Sequence, residues 1–422
     1  MPPVDRRVLV VGTTTDYVEW IRNCRPGETL FLTDPVLRRE AREPAPDPVE
    51  EILCDLTEGD EAVRRLADHL VRWGIVPAGV ACFDDESMSL ASRLAGNHGL
   101  PYPSSEAVRN CRDKFRSKVL WEEHGLTAPA VCKVTSAEEA AAFSRATGGP
   151  VVLKPIGGSG SELVFRCESE KDCARYFRSI AEGLADRQDH RLYRPFLEDG
   201  EGVLAEALVR GDEYSCDFML ENGRATLLRL TRKVRFDEDP FGTAKAYSLT
   251  GAWPDPIDPA RFETVLCRAA QALGLERAIC MLDFFVNDGQ VVLLEMAPRP
   301  GGDCLPSLLR CGCRMDVLQL ALDFACQRPL DLNPPGACTS MVGLRLHADR
   351  EGILEGIDDG ALRRDPRVRE IVITRLPGHH IKRPPEDYDA WLLGHVIFVP
   401  QPGLDITTQC RDLCSKLAVK VG

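Results

Sequence analysis

The chain has 422 residues, a formal net charge of −13, 44% hydrophobic residues and 28% charged residues. A chain of this length predicts two or three compact units, because single cores stop growing near about 250–300 residues. The acidic balance argues against a general nucleic-acid binder, which needs clustered Lys and Arg for its phosphate contacts. The apolar run at 8–12 is too short for a secretory segment, and no later run reaches the about 18 apolar residues of a membrane span. We therefore expect a cytoplasmic protein that binds neither nucleic acid nor membranes.

The seventeen cysteines are scattered singly, and the closest pairs, Cys311/Cys313 and Cys410/Cys414, lack CxxC spacing. Without a signal peptide, this scatter favours small buried apolar side chains over disulfides. No convincing Cys/His group for a metal–thiolate site accompanies them.

Residues 1–100 alternate between strands and helices in the manner of a parallel, Rossmann-like α/β domain. The pattern predicts strands at 8–12, 29–33, 52–54 and 79–83, and helices at 17–23, 61–73 and 86–98. The first strand ends in Gly-Thr-Thr-Thr, so the GxGxxG dinucleotide fingerprint is absent.

The sequence pattern predicts an α+β arrangement for the rest of the chain. Residues 101–200 predict helices at 106–111, 114–124, 137–146 and 170–183, with strands at 130–134, 151–155 and 162–167. Residues 201–330 are strand-rich (203–208, 212–220, 224–232, 278–287 and 291–296), with one helix at 259–273. Residues 331–422 predict a small C-terminal region with strands at 341–347, 370–374 and 395–399 and a helix at 406–417.

The run VVLKPIGGSGS places Lys154 at the end of an apolar strand, directly before a glycine-rich loop. A lysine and closely approaching backbone N–H groups together stabilise a phosphate. The run is not a Walker A loop, because GK[ST] is missing and a strand follows it. A plain Gly/Ser hairpin turn is the alternative interpretation.

The run AEALVRGDEYSCD contains Glu206 and Glu213 on either side of a turn. Across such a turn a carboxylate can accept ribose hydroxyls, while the backbone near Glu206 and Leu208 borders a purine. Two exposed strand glutamates are the alternative. The segment from Thr231 to Tyr247 is expected to approach the nucleotide or substrate, with Lys233 as its best candidate, or else to be a solvated loop.

Asp283 and Glu295 lie on two short apolar strands joined by the turn Asn-Asp-Gly-Gln. Two carboxylates among apolar neighbours repel each other unless a cation or a proton separates them. Hard oxygen ligands beside nucleotide phosphates suit Mg²⁺. Arg299 follows just before Pro-Gly-Gly, where a guanidinium can meet a phosphoryl group or an oxyanion. A structural salt bridge is the alternative.

In this order the motifs, from about residue 111 to 302, resemble the ATP-grasp superfamily. The resemblance implies two subdomains that grip ATP behind a Rossmann-like domain, with ATP as co-substrate and Mg²⁺ or Mn²⁺ as cofactor. It assigns the phosphates to Lys114, Lys154 and the loop Gly158, Ser159, Gly160 and Ser161. It assigns the adenine hinge to Glu206, Ala207 and Leu208, the ribose to Glu213 and the metal to Asp283 and Glu295.

The sequence departs from the common ATP-grasp motifs at two places, which indicate a particular branch of the superfamily. Asp283 stands where many members have Glu, and Glu295-Met296-Ala297 replaces the frequent E-x-N. The E-x-A-x-R form is similar to that of L-amino-acid ligases and related carboxylate–amine ligases, and points away from D-alanine–D-alanine ligase and biotin carboxylase. There Arg299 would stabilise the tetrahedral intermediate, with Lys154 sharing the charge of phosphoryl transfer.

The implied reaction joins a small-molecule carboxylate to an amine through an acyl phosphate, with an amino acid as one substrate. A carboxylase, a purine-biosynthetic ligase and a non-catalytic ATP sensor are the alternatives. The sequence leaves the two substrates unidentified and the oligomeric state open, a homodimer included.

Overall fold

The computed structural model describes residues 5–197, 202–249, 253–254, 257–330, 332 and 338–422. Within these residues the strands form four sheets, and the chain is a mixed α/β protein as predicted. No helix of the described part is long and apolar enough to cross a membrane.

The N-terminal sheet is parallel, as the alternating pattern predicted, with strand order β3-β2-β1-β4. Leu9 and Val10 of its central strand pack into separate apolar clusters. Burial on both faces explains why the strand is an uninterrupted apolar run. The elements are β1 (Asp5–Val11), α1 (Thr15–Cys24), β2 (Thr29–Thr33), α2 (Pro35–Glu40), β3 (Glu51–Leu53), α3 (Gly59–Trp73), β4 (Ile75–Ala81) and α4 (Met88–His98).

Two helices, α5 (Ser105–Arg112) and α6 (Lys114–Glu123), lead to an antiparallel sheet with the order β5-β8-β6-β7. We call it the middle sheet. The Asp113 side chain caps α6 by accepting from the backbone N–H groups of Phe115 and Arg116. The elements are β5 (Val131–Val134), α7 (Ala137–Thr147), β6 (Val151–Pro155), β7 (Phe165–Cys167), α8 (Glu170–Ala185), α9 (Arg194–Leu197) and β8 (Val203–Ala207).

The strand predicted at 162–167 is shorter than expected, because β7 begins only at Phe165. Ser161 and Leu163 have positive φ angles of 63° and 56°. Residues in the left-handed backbone conformation cannot continue a β-strand, so Ser161 and Leu163 form part of a turn.

An eight-stranded sheet, which we call the large sheet, has the order β13-β12-β9-β10-β11-β14-β18-β16. One face is apolar and packs on helix α10, with Phe218, Leu282 and Phe284 in its core. The other face carries the acids and lysines of the site. The elements are β9 (Asp212–Glu221), β10 (Arg224–Val234), β11 (Ala246–Leu249), α10 (Pro259–Ala272), β12 (Ala278–Asn287) and β13 (Gln290–Ala297).

Two helices that the sequence pattern did not predict follow β13, namely α11 (Leu305–Cys313) and α12 (Val317–Ala325). They fill the core between the N-terminal and large sheets, with Leu308, Leu309 and Val317 fully buried. The expectation of a single helix within 201–330 is therefore wrong.

The C-terminal elements are β14 (Met341–His347), β15 (Gly352–Asp358), α13 (Gly360–Arg363), β16 (Val368–Ile373), β17 (His380–Ile381), β18 (Leu392–Phe398), α14 (Ile406–Cys414) and β19 (Ala418–Val421). Three of them, β14, β16 and β18, extend the large sheet. The boundary that the sequence suggested at residue 331 thus falls within one sheet, and the division into four domains stays a proposal. Cys313 and Cys338 form a disulfide, although the scattered cysteines favoured buried apolar side chains over disulfides.

Candidate active site

A cleft of about 430 Å³ opens between the middle sheet and the polar face of the large sheet. Its lining combines lysines, carboxylates, a glycine-rich loop and a few apolar side chains. Most of the residues that the sequence singled out border it, namely Lys114, Lys154, Gly158, Ser159, Ser161, Glu206, Leu208, Glu213, Lys233, Asp283 and Glu295. Three others, Gly160, Ala207 and Arg299, are absent from its lining.

On the middle-sheet side, Lys154 and Glu206 extend from the neighbouring antiparallel strands β6 and β8. The Lys154 ammonium lies 2.9 Å from Glu206 Oε2. The ammonium of Lys118 on α6 lies 3.2 Å from the same oxygen. Burial raises the pKa of Glu206, but the two ammonium groups outweigh burial and hold that pKa below its ordinary value. Glu206 is therefore a buried carboxylate anion with two counter-ions.

The glycine-rich loop crosses the mouth of the cleft. The Lys114 ammonium donates to the Gly158 carbonyl at 2.5 Å, and the Ser161 hydroxyl donates to the Gly242 carbonyl at 2.8 Å. Gly158 has a φ of 105°, and a Cβ on Gly157 would approach the Phe196 ring to 2.2 Å. Glycine is required here because the loop combines a left-handed conformation with a close approach.

On the large-sheet side, Asp283 and Glu295 are direct partners across the antiparallel strands β12 and β13. Their side chains therefore leave the same face, as the hairpin argument predicted. The register shifts directly after this pair, so Leu294 forms a bulge. Lys114 lies 3.8 Å from Glu295 Oε2.

The described residues contain no group of three or more His, Cys, Asp and Glu side chains that could hold a metal ion. Asp283 and Glu295 nevertheless fit Mg²⁺, which typically takes one or two protein carboxylates and completes its shell with phosphates and water. Asp283 Oδ1 is buried and accepts no hydrogen bond. A buried carboxylate oxygen without a donor is the kind of group that a bound cation satisfies.

Lys233 lies between two acids of the large sheet. Its ammonium donates to Glu213 Oε1 at 2.9 Å and to Asp283 Oδ2 at 2.5 Å. The second oxygen of Glu213 pairs with Arg235. Burial lowers the pKa of Lys233, but Asp283 and neighbouring groups more than offset burial and raise that pKa. Lys233 is a cation in contact with the acids and is not on a solvated loop.

Glu295 is surrounded by cations. Burial raises its pKa, but Lys114, Lys154, Lys233 and Lys118 together outweigh burial and lower that pKa below its ordinary value. Glu295 is therefore ionised at neutral pH, as a metal ligand must be.

Arg299 faces the N-terminal domain. Its Nε donates to Asp85 Oδ1 at 2.8 Å and its Nη2 donates to Asp85 Oδ2 at 2.5 Å. The loop beyond it is held by a buried pair on the large sheet, where Asp217 accepts from Arg229 and from the Gly301 N–H. The predicted oxyanion contact of Arg299 stays a prediction, since its guanidinium is engaged by Asp85.

The assignment of the adenine hinge to Glu206, Ala207 and Leu208 stays a prediction. The N–H groups of Ala207 and Leu208 donate to the carbonyls of Ala130 and Pro150 at 2.9 and 3.1 Å, so they are not free for a base. The Glu206 side chain is turned to the lysines. The following residues 209–211 also line the cleft.

Sequence reasoning missed several residues at the site. Lys118 was missed although it lies four residues after Lys114 on the same helix, the spacing that puts two side chains on one face. The apolar lining was missed because its members are ordinary strand residues. The missed lining residues include the apolar Val152, Phe285 and Leu294 and the cationic Arg166.

Residues 147–307 match a family model described as the ATP-grasp domain. The uncharacterized protein y4rH of Sinorhizobium fredii is 24% identical over 402 residues, which are 93% of this chain and 78% of that protein. Carnosine synthase 1 of Homo sapiens is 26% identical over 302 residues, which are 69% of this chain and 36% of that protein.

Among solved structures, the L-amino acid ligase from Bacillus licheniformis aligns with a TM-score of 0.78 at 17% identity, covering 99% of both chains. At this identity the likeness shows the fold. The family model and the shared fold together identify residues 147–307 as an ATP-grasp domain.

Proposed function

We propose that this protein is a carboxylate–amine ligase, which uses ATP to form an amide bond through an acyl phosphate and takes an amino acid as one substrate. The observation that carries the proposal is the distribution of charge around the cleft. Lys114 and Lys154 border it from the α6 and β6 side, and the acid pair Asp283 and Glu295 borders it from the large sheet. This arrangement suits a triphosphate and a divalent cation.

The proposed reaction has two steps. A carboxylate oxygen of the first substrate attacks the γ-phosphorus of ATP, and the bond to the β-phosphate oxygen breaks to release ADP. The amine nitrogen of the second substrate then attacks the acyl carbon, inorganic phosphate leaves, and the nitrogen loses its proton. ATP is needed because a carboxylate oxygen is a poor leaving group and phosphate is a good one.

The residues of the cleft have distinct parts in this proposal. Lys114, Lys154 and the N–H groups of the glycine loop stabilise the charge on the transferred phosphoryl group. Lys233 remains paired with Glu213 and Asp283, the acids on the side of the cleft that faces the transferred phosphoryl group. Asp283 and Glu295 would hold Mg²⁺, which supplies charge neutralisation on the phosphates.

Arg299 is assigned to the second step. A guanidinium next to the acyl carbon stabilises the negative oxygen of the tetrahedral intermediate. Asp85 supplies the orientation, because its bidentate contact fixes the plane of the guanidinium.

The choice of an amino acid rests on the similar proteins and on the run Glu295-x-Ala297-x-Arg299. By their names, one relative is a synthase of carnosine and one structural neighbour is a ligase of L-amino acids. These names guide the choice of substrates to test.

The test is a screen for ADP and phosphate release over pairs of amino acids and small carboxylates, with mass spectrometry of the products. We expect release that depends on both partners and a product mass equal to their sum minus one water. Product formation only with bicarbonate would favour a carboxylase. ATP binding without turnover for any pair would favour a sensor.

A further inference from the structure

A third lysine, Lys118, lies behind the phosphate-facing Lys114 and Lys154 and has no part in the reaction as described above. Lys118 lies one helical turn after Lys114 on α6, and it is 1% exposed. It does not line the cleft, so a nucleotide in the cleft cannot reach it directly. A fully buried ammonium is unfavourable unless it is paired. The contacts that stabilise the buried Lys118 ammonium therefore have to be identified.

The Lys118 ammonium joins two separate parts of the site. It donates to the Leu294 carbonyl at 2.5 Å, at the bulge directly before Glu295. It also lies 3.2 Å from Glu206 Oε2 on the middle sheet. One cation thus connects strand β8 of the middle sheet to strand β13 of the large sheet.

Glu206 is shared between two lysines with different access to the cleft. Its Oε2 is the partner of both Lys118 and Lys154, and its side chain is 5% exposed. Only Lys154 borders the cleft. A phosphate that arrives in the cleft can draw the Lys154 ammonium away from Glu206, but it cannot draw away that of Lys118.

We propose that Lys118 is a positioning residue, which remains the counter-ion of Glu206 when Lys154 turns to the phosphates of ATP. Without Lys118, Lys154 is the only cation among the described residues that contacts the Glu206 carboxylate. Phosphate binding then has to separate that pair and leave a buried charge unpaired, which is strongly unfavourable. The inference rests on the proposed nucleotide site and adds to it the residue that makes Lys154 available.

The charge state of Lys118 agrees with this role. Burial lowers its pKa to about 8, while Glu206 acts in the opposite direction. The side chain therefore carries a positive charge at neutral pH.

The test compares nucleotide binding by Lys118→Gln and by the wild type. Glutamine keeps a donor for the Leu294 carbonyl but removes the charge. We expect the Kd for MgATP, measured by titration calorimetry, to rise by about tenfold or more, and the Kd for adenosine to change by less than about twofold, since adenosine has no phosphate for Lys154. The matched control is Lys171→Gln, an exposed lysine on α8.

A double variant separates the charge from packing. In Lys118→Gln/Glu206→Gln no carboxylate remains to hold Lys154, so the Kd for MgATP should return to within about threefold of that of Glu206→Gln alone. A loss of packing would not be rescued in this way. If the single variant does not fold, a folded double variant that binds MgATP like Glu206→Gln supports the proposal, and one that does not fold overturns it.

Three results overturn the inference while leaving the ATP site in place. The first is a wild-type Kd for MgATP in Lys118→Gln. The second is an equal loss of affinity for adenosine and for MgATP in that variant. The third is a Kd for MgATP in the double variant that does not return toward that of Glu206→Gln. Failure of the wild type itself to bind MgATP would instead contradict the proposed function.

Discussion

Asp283 of β12 and Glu295 of β13 are direct cross-strand partners on the polar face of the large sheet. Direct partners have Cβ atoms about 4.5–5.5 Å apart, so the two carboxylates start from neighbouring positions. Lys233 contacts the first acid and Lys114 approaches the second. Each carboxylate therefore has one ammonium within ion-pair distance, and Asp283 Oδ1 is left without a donor.

The first prediction concerns this pair. Glu295→Gln should abolish Mg²⁺-dependent ADP formation, because the amide cannot supply the charge that a divalent cation requires. A Lewis acid contributes several kcal/mol to phosphoryl transfer, and about 1.4 kcal/mol is a factor of ten, so the rate should fall at least about a hundredfold. ADP release is measured as a function of Mg²⁺ concentration. Glu238→Gln, in an exposed pair with Arg411, is the control, and an unchanged rate in Glu295→Gln would refute the metal assignment.

The second prediction uses two ion pairs that span the same two strands. Arg229 and Asp217 are fully buried, with Nε and Nη2 each 2.9 Å from a carboxylate oxygen. Arg232 and Asp212, further along β10 and β9, form an exposed pair at 2.8 Å. Asp217→Asn leaves a buried guanidinium without its counter-ion.

Asp217→Asn should therefore lower the free energy of unfolding by about 3–5 kcal/mol, and Asp212→Asn should lower it by less than about 1 kcal/mol. Denaturant unfolding of both variants measures the difference. Equal losses would show that burial does not set the strength of these pairs. Since Asp217 also accepts from the Gly301 N–H, the buried variant should also disturb the loop after Arg299.

The site was predictable where its chemistry is local in sequence. Lys154 ends an apolar strand directly before a glycine loop, and Asp283 and Glu295 lie on the two strands of one hairpin. Each motif can therefore be recognised in a short stretch of sequence. A short stretch of sequence could not show that the N–H groups of Ala207 and Leu208 donate hydrogen bonds within the middle sheet. Their acceptors lie next to strands β5 and β6, which are distant in the sequence.

Features that depend on tertiary packing were not predictable. Helices α11 and α12 are nine residues each and buried on nearly all sides, and short apolar runs do not distinguish a buried helix from a buried strand. Gly312 in α11 weakens its helical signal further. The Arg299–Asp85 contact joins residues 214 positions apart, and the Cys313–Cys338 disulfide closes a separation of 25 residues. No local motif marks either partner.

The third prediction concerns Arg299, which does not line the proposed nucleotide cleft. Arg299→Met should lower the rate of amide formation by about 10²–10³-fold, the usual effect of removing an oxyanion donor. The Kd for MgATP should stay within about twofold of the wild-type value. Asp85→Asn should lower the same rate by a smaller factor, because it loosens the guanidinium without removing it.

Rates of product formation and calorimetric titration with MgATP provide the two readouts. Arg310→Met, which removes an arginine from α11 that pairs with Glu370, is the control. Loss of ATP binding in Arg299→Met would contradict the assignment to the second step.

The last prediction is a pH dependence of stability that arises at Asp84. Burial raises the pKa of this carboxyl from 3.8 to about 6, although the Ser87 backbone N–H acts in the opposite direction. A folded-state pKa above the unfolded value means that the folded protein binds more protons between pH 3.8 and about 6. The stabilising effect of the protonated form is therefore complete below the lower value and is lost as the pH rises through the higher one.

Asp84→Asn removes this titration and keeps an oxygen that can accept from the Ser87 N–H. Above pH 6 the variant should be more stable than the wild type by about 1–3 kcal/mol, and near pH 4 the two should be nearly equal. Thermal unfolding from pH 4 to 8 measures the difference, with Asp60→Asn, an exposed acid on α3, as the control. Because the partly buried surroundings of Asp84 disfavour its ionised form, a variant that is less stable than the wild type at pH 8 would mean that this carboxylate is stabilised by the folded protein.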